Sequence, residues 1–381
     1  MAGKQKVLIQ GSGFAGQGHA DAFRRAGAEV VGMVSRTKDV VEKTAAILDI
    51  PYAGTDWKEA LEACQPDIVS LATPGGAHFE AAMSAMDRGC HVYSDKPLTD
   101  SAEKAALLYK KSVECGVKTA YAASYRYMPC VLFAKDLVAE GVIGEPREAE
   151  SISHFHLDPH IPLGWSHRIE QGGGRLNNNF THLLSIMTHV LGEEILSVSG
   201  EVRNDMKKAP VVKGVHNFTE RRNFIPDDIN DPSLEWGEVD AEWSYTVLAK
   251  IKSAMANDPV SIMFRHGGLT PRFHEDHLVF YGSKGSLYIK GHYGHGPIYV
   301  QKGRDEWEEL SLPASYKSAQ PDIEDDTLRN WAILADLFVA DIEGRSTESY
   351  QTFREGWLYQ EIIDIIRKEN HETDLEKFSL S

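Results

Sequence analysis

The chain has 381 residues, roughly two to three times an ordinary domain, so two hydrophobic cores are expected. Its 42% hydrophobic and 25% charged content is that of a globular chain in water, and no apolar run reaches the roughly 18 residues of a membrane helix. With 40 basic against 56 acidic residues the formal charge is -16, which disfavours nucleic acid or an anionic leaflet as partner but leaves room for an anionic small ligand held by local cations and backbone amides.

Residues 7–9, Val7-Leu8-Ile9, read as the first strand and are too short for the apolar region of a secretory signal. Four cysteines, Cys64, Cys90, Cys115 and Cys130, show neither CxxC pairing nor metal-ligand spacing, so they read as small core residues in a reducing, cytoplasmic setting. A glycine-rich turn and a helix to about residue 26 follow, then β-branched runs at 30–34, 68–71, 91–93 and 117–122 alternating with helical patterns at 77–88 and 102–115. That alternation predicts a parallel sheet covered on both faces. Past Met128 the pattern changes: a helix at 131–140, then strands at 148–155, 196–202, 239–251, 260–264, 277–281 and 286–289 with apolar and polar residues alternating, as in antiparallel sheets. Helices at 323–342 and 353–368 close the chain, and 207–236 reads as a polar insertion between strands. The expected division is residues 1–126 and 127–381.

Gly11-Ser12-Gly13-Phe14-Ala15-Gly16 follows the first strand and opens a helix, the setting of a dinucleotide-binding turn. The first glycine permits the turn, the second clears space for the pyrophosphate, and the third lets helix and strand approach. The second strand ends in Ser35-Arg36-Thr37-Lys38, with no carboxylate for a free ribose 2'-hydroxyl. A hydroxyl followed by Arg36 and Lys38 suits a 2'-phosphate, so NADP is the expected cofactor and NAD the second candidate. Thr73, Pro74 and His78 follow one strand, and Asp95, Lys96 and Pro97 another, at the carboxyl edge where such sheets bind ligands.

These motifs, with Tyr125-Arg126-Tyr127, Gly172-Gly173-Gly174 before His182, and Gly282-Ser283-Lys284-Gly285-Ser286-Leu287, resemble the Gfo/Idh/MocA oxidoreductase family over nearly the whole chain. The resemblance implies an α/β protein with an N-terminal Rossmann domain for NAD(P) and a C-terminal α/β domain, with an open, mostly antiparallel sheet, for substrate binding and oligomerisation. Sugars, inositols and related polyols are the family's usual substrates. Lys96 takes the place of the family lysine that hydrogen-bonds the reacting oxygen, and Asp95 departs from the usual Glu. Where the family commonly carries an aspartate and, four residues on, a histidine, this chain has Asn178 and His182; Ser185 and Phe180 are further departures. His182 is then the expected proton carrier, while Asn178 can orient a hydroxyl but cannot shuttle a proton.

His154, His156, His160 and His167 precede the glycines, and His154 and His156 on one strand would face the same way. No cysteine or acidic pair completes a metal set, so no metal is expected; His154 and His156, with Trp165 and Arg168, are expected to line the substrate cleft. Tyr125 and Arg126 should face that cleft too, with a domain-junction ion pair the other reading of Arg126. The expected activity is NADP-dependent hydride exchange with a sugar, cyclitol or ketosugar, by a homodimer or homotetramer. Two rival readings are a non-catalytic sensor of the same fold and a redox-neutral glycosidase with tightly held cofactor.

Overall fold

A computed structural model describes residues 3–192, 194–215, 218–271 and 275–368. The first part runs β1 (Lys6–Gln10), α1 (Phe14–Arg25), β2 (Glu29–Val34), α2 (Lys38–Ile47), β3 (Tyr52–Gly54), α3 (Trp57–Cys64), β4 (Ile68–Leu71), α4 (His78–Asp87), β5 (His91–Asp95), α5 (Ala102–Cys115) and β6 (Thr119–Ala122). All six strands are parallel in the order β3-β2-β1-β4-β5-β6, so the expected doubly covered sheet is present. Buried Val7, Leu8 and Ile9 make β1 the centre. Its last residue, Gln10, pairs with Val34 and Leu71, the ends of β2 and β4, which brings the segments after residues 10, 34 and 71 to one edge.

The second part contains α6 (Pro129–Ala139), β7 (Pro146–His154), α7 (Thr181–Leu191), β8 (Glu194–Arg203), β9 (Lys208–Pro210), β10 (Trp236–Glu238), β11 (Ser244–Lys252), β12 (Val260–Gly267), β13 (His277–Gly282), β14 (Gly285–Lys290), β15 (Ile298–Lys302) and β16 (Glu308–Leu310). Eight of these strands form a sheet in the order β16-β15-β14-β13-β7-β12-β11-β8, antiparallel except where β7 meets β12. One face is sealed: Val131, Leu183, Ile186 and Met187 from α6 and α7 share a core with Val247, Ile262, Phe264, Leu278 and Phe280. The opposite face carries Leu248, 55% exposed, between Thr246 and Lys250 of β11, the alternation expected of a sheet open on one side.

Residues 239–243, expected to begin a long strand, instead turn away from the sheet. Val239 N donates to Lys207 O and Trp243 N to Arg203 O, and both side chains are buried with Ile161, Met206 and Ala209 in a small third core beneath the 207–236 insertion. Their alternation reflects that local core. Within the insertion, β9 and β10 form a two-stranded ribbon.

The chain closes with α8 (Ala314–Ser318), α9 (Asp326–Ile342) and α10 (Phe353–Lys368). Helix α9 returns to the first sheet: Trp331, Leu334, Ala335 and Phe338 share a core with Val7, Ile9, Ala20 and Phe23. Gly18 of α1 is what admits it, because a Cβ there would strike the Trp331 ring. Helix α10 lies along α5, with the Trp357 and Tyr109 rings stacked at 5.4 Å. Among the described residues, no helix is long and apolar enough to cross a membrane.

Candidate active site

The turn after β1 is shaped for an anion. Gly11 has φ +125°, and a Cβ on it would hit the Ala72 carbonyl; one on Gly16 would hit Gly11 O. A Cβ on Gly13 would meet nothing within 4 Å, so space lies open beside the start of α1, the helix that carries Phe14 and Ala15. That helix start has neither a side-chain cap nor an acidic residue in its first turn, so its amides remain free for a pyrophosphate. These residues fit a dinucleotide. Ser12 Oγ donates to Ser35 Oγ at 2.8 Å, tying the turn to the end of β2, where Arg36 is exposed. Lys38 sits on the solvated side of α2, 3.8 Å from Glu42.

At the same edge, His78 is fully buried between two loops. Its Nε2 donates to Thr73 O at 2.7 Å, and its Nδ1 lies 3.2 Å from both Leu98 O and Ser94 Oγ. His78, expected against the cofactor, is thus a staple holding the Thr73-Pro74 loop to the Lys96 loop. Asp95 Oδ1 accepts from Lys96 N at 2.8 Å. Burial holds the Lys96 ammonium down at about 8, with Asp95 opposing and Arg175 adding to the effect; burial likewise lifts Asp95 to about 6.

Lys96 Nζ reaches across to the second part of the chain, donating to Asn178 Oδ1 at 2.9 Å and to Asn178 O at 3.2 Å. Asn178 lies in a π-helical turn, Leu176–Phe180, that runs directly into α7 and His182. Such turns accommodate an extra residue and recur at functional sites. Glu242 Oε1 accepts from Leu176 N at 2.9 Å to hold the start of this turn, and Arg367 of α10 binds Glu242 at 3.0 Å and Gly173 O at 3.0 Å. His182, 6% exposed, packs edge-on against Tyr125 at 4.6 Å and Tyr293 at 5.3 Å. Burial, then the charges of Lys96, His292 and Arg175, push its pKa well below the usual range, so the imidazole is neutral at neutral pH. Asn178 Nδ2 and His182 Nδ1 are buried without partners among the described residues.

Several neighbours were not legible beforehand. Arg175, 8% exposed, lies over the Phe155 ring at 4.6 Å and donates from Nε to His266 Nε2 at 3.0 Å. Asn179 donates to Tyr293 Oη at 3.1 Å and accepts from Tyr245 Oη and Ser153 Oγ. His292 Nδ1 donates to buried Asp276 at 3.1 Å. The run Gly291-His292-Tyr293-Gly294-His295-Gly296 was a visible signal for this wall, an unusual density of imidazole, phenol and glycine.

Other expected residues are placed elsewhere. Arg126 is buried at the seam between the parts and donates to His189 Nδ1 of α7 at 2.6 Å, so it braces the junction rather than facing the cleft. His156 lies beyond the end of β7, exposed and with φ +44°, so His154 and His156 do not share a strand face. His154 is held through its backbone N by Asp276 at 2.9 Å. His160 sits beside Asp158, and buried His167 accepts from Gly164 N at 3.0 Å. Trp165 and Arg168 are partly buried on the turn before the glycines, where Arg168 O accepts from Gly173 N at 2.8 Å. The four histidines therefore do not form one cluster. Among the described residues no group of three His, Cys, Asp or Glu side chains is arranged to hold a metal ion.

Residues 5–122 match the family described as an oxidoreductase family with an NAD-binding Rossmann fold, and residues 131–288 match the GFO/IDH/MocA C-terminal domain. A levoglucosan dehydrogenase of Pseudarthrobacter phenanthrenivorans is 26% identical over 199 residues, covering 49% of this chain and 51% of that protein. An inositol 2-dehydrogenase of Pseudarthrobacter chlorophenolicus is 26% identical over 216 residues, covering 54% of this chain and 59% of its own length. The alignments thus span little more than half of these relatives. A solved levoglucosan dehydrogenase in complex with NADH and L-sorbose superposes with TM-score 0.79 over 97% of both chains at 18% identity, a likeness of fold.

Proposed function

Because this chain belongs to the Gfo/Idh/MocA oxidoreductase family, we propose that it exchanges a hydride between NADP and the carbinol or carbonyl carbon of a sugar, cyclitol or ketosugar. The observation carrying this reading is the Lys96 ammonium from one sheet edge meeting Asn178 on the helical segment that bears His182. Relatives named for levoglucosan and inositol support the substrate class. Residues 1–126 are then the nucleotide side and 127–381 the substrate side, with the open sheet face joining copies of the chain in a homodimer or homotetramer.

Bound nicotinamide supplies the hydride acceptor or donor; the chain supplies orientation and proton handling. Gly11, Gly13 and Gly16 cradle the pyrophosphate, while Ser35 and Arg36, with no carboxylate beside them, favour a 2'-phosphate. In the oxidising direction Lys96, held near 8, takes the proton of the reacting hydroxyl; in the reducing direction its ammonium returns it. His182, held neutral, and Asn178, with a spare amide, bind the substrate oxygens and fix which carbon is presented.

The test is titration with NADP and NAD followed by a panel of polyols and ketosugars, read by nicotinamide absorbance. Turnover faster with NADP supports the reading. Tight NADP binding without turnover of any substrate would move the chain to a sensing role.

A further inference from the structure

Arg175 is almost wholly buried, and among the described residues no carboxylate is within ion-pair distance of it, Glu242 acting on its charge only from farther off. Its Nε is bonded to His266, its plane rests on Phe155, and its two terminal nitrogens make no hydrogen bond or ion pair with any described residue. The acidic groups around it are already engaged. Glu242 is taken by Arg367 and Leu176 N, Asp276 by His292 and His154 N, and Asp95 by Lys96 N. A buried cation left in that state is expensive, and proteins keep one where a ligand supplies the missing charge.

The neighbours point the same way. Asn178 stands where a carboxylate would have cancelled the charge of Lys96, and its Nδ2 is a buried donor without a partner among the described residues. Arg221, from the 207–236 insertion, is buried nearby with Nη1 on Ser166 Oγ at 2.9 Å. Burial and then the charge of Arg175 hold it down at about 10. In a chain of net charge -16, Lys96 and Arg221 thus both lie close enough to Arg175 to feel its charge.

We propose that the substrate bears a carboxylate and that Arg175 receives it, so that the site takes acidic sugar derivatives such as uronates or aldonates in preference to neutral polyols. This deepens the hydride-transfer reading and rests on it. The parallel donors of one guanidinium match the two oxygens of a carboxylate, and the aromatic walls of Phe155, Tyr245 and Tyr293 enclose that end of the cleft.

The experiment pairs glucose with glucuronate and gluconate, galactose with galacturonate, and adds glucose 6-phosphate. It measures kcat/KM with each cofactor and, separately, Kd by calorimetry in the presence of the cofactor. Acids should exceed their neutral partners by about ten-fold or more, Arg175→Met should erase that ratio, and Arg175→Lys should keep part of it. Glucuronate should raise the Tm of the unmodified protein but not that of Arg175→Met. Acids binding no better than their neutral partners, a phosphate preferred to every carboxylate, or a ratio unchanged in Arg175→Met overturns the inference. If no sugar turns over with either cofactor, the oxidoreductase reading fails, and calorimetric preference for acid over neutral sugar still decides the role of Arg175.

Discussion

Lys96 Nζ donates to Asn178 Oδ1 across 2.9 Å, while Nδ2 of the same amide is buried with nothing to bond among the described residues. One end of Asn178 thus holds the lysine while the other stays unbonded. Lys96→Ala should therefore lower kcat by roughly a hundred-fold or more, the usual loss for one group that stabilises developing charge. Cofactor Kd should stay within a few fold. Unchanged turnover at saturating cofactor would remove the lysine from the mechanism.

Asn178→Asp restores a negative charge beside the ammonium. Opposite charge favours the protonated amine, so the Lys96 pKa should rise from about 8. In the oxidising direction, where the free amine is the base, kcat/KM of the unmodified protein should climb through about pH 8, and in the reducing direction it should fall there. The variant should shift both limbs to higher pH. A pH profile identical in the two proteins would show that another group sets the limb.

Arg36→Asp exchanges the expected 2'-phosphate partner for a carboxylate that suits a ribose hydroxyl. NADP affinity should drop by at least about ten-fold, through loss of a charge-assisted contact and gain of repulsion, while NAD affinity holds or improves. Fluorescence titration of both cofactors checks this; equal effects on the two would place Arg36 outside the ribose site.

The first part of the chain was legible because its signals are local: β-branched runs, Gly11, Gly13 and Gly16, and Lys96 at a strand end all act within a few residues. The second was less so. Residues 239–243 alternate like a strand but answer to a small core built with Ile161 and Met206. Arg175 was silent for a related reason. Its meaning lies in Glu242 being claimed by Arg367, an arrangement of three distant segments that no spacing reveals. His182 was read from its ordinary pKa, whereas burial and three neighbouring cationic or imidazole groups decide its state.

Acid should destabilise the fold in a definite window. Buried His19, whose Nδ1 lies 2.9 Å from Ser70 Oγ, is held down at about 3 by burial and then by His78. The unfolded chain binds its proton near the ordinary 6.5 and the folded chain only near 3, so stability is complete above 6.5 and lost progressively below it. Each such histidine contributes a slope of up to about 1.4 kcal/mol per pH unit. Denaturation by urea at pH 7 and pH 5 should show the loss, and His19→Leu should show a shallower one. Equal slopes would mean that His19 takes up its proton as readily in the fold as in the unfolded chain.

Glu242 and Arg367 give the last prediction, because their ion pair is buried and also holds the turn that carries Asn178. Removing one partner strands the other charge, so Arg367→Met should cost roughly 3–5 kcal/mol. It should also raise KM, since the Gly173 carbonyl and the π-helical turn lose their anchor to α10. Arg367→Met combined with Glu242→Gln leaves neither member of the pair stranded, and Gln can still accept from Leu176 N. The double variant should regain most of the stability while keeping part of the KM defect, the split expected if α10 positions the turn as well as supporting the fold. Recovery of both together would mean the pair serves stability alone, and recovery of neither would mean that packing rather than charge makes this contact.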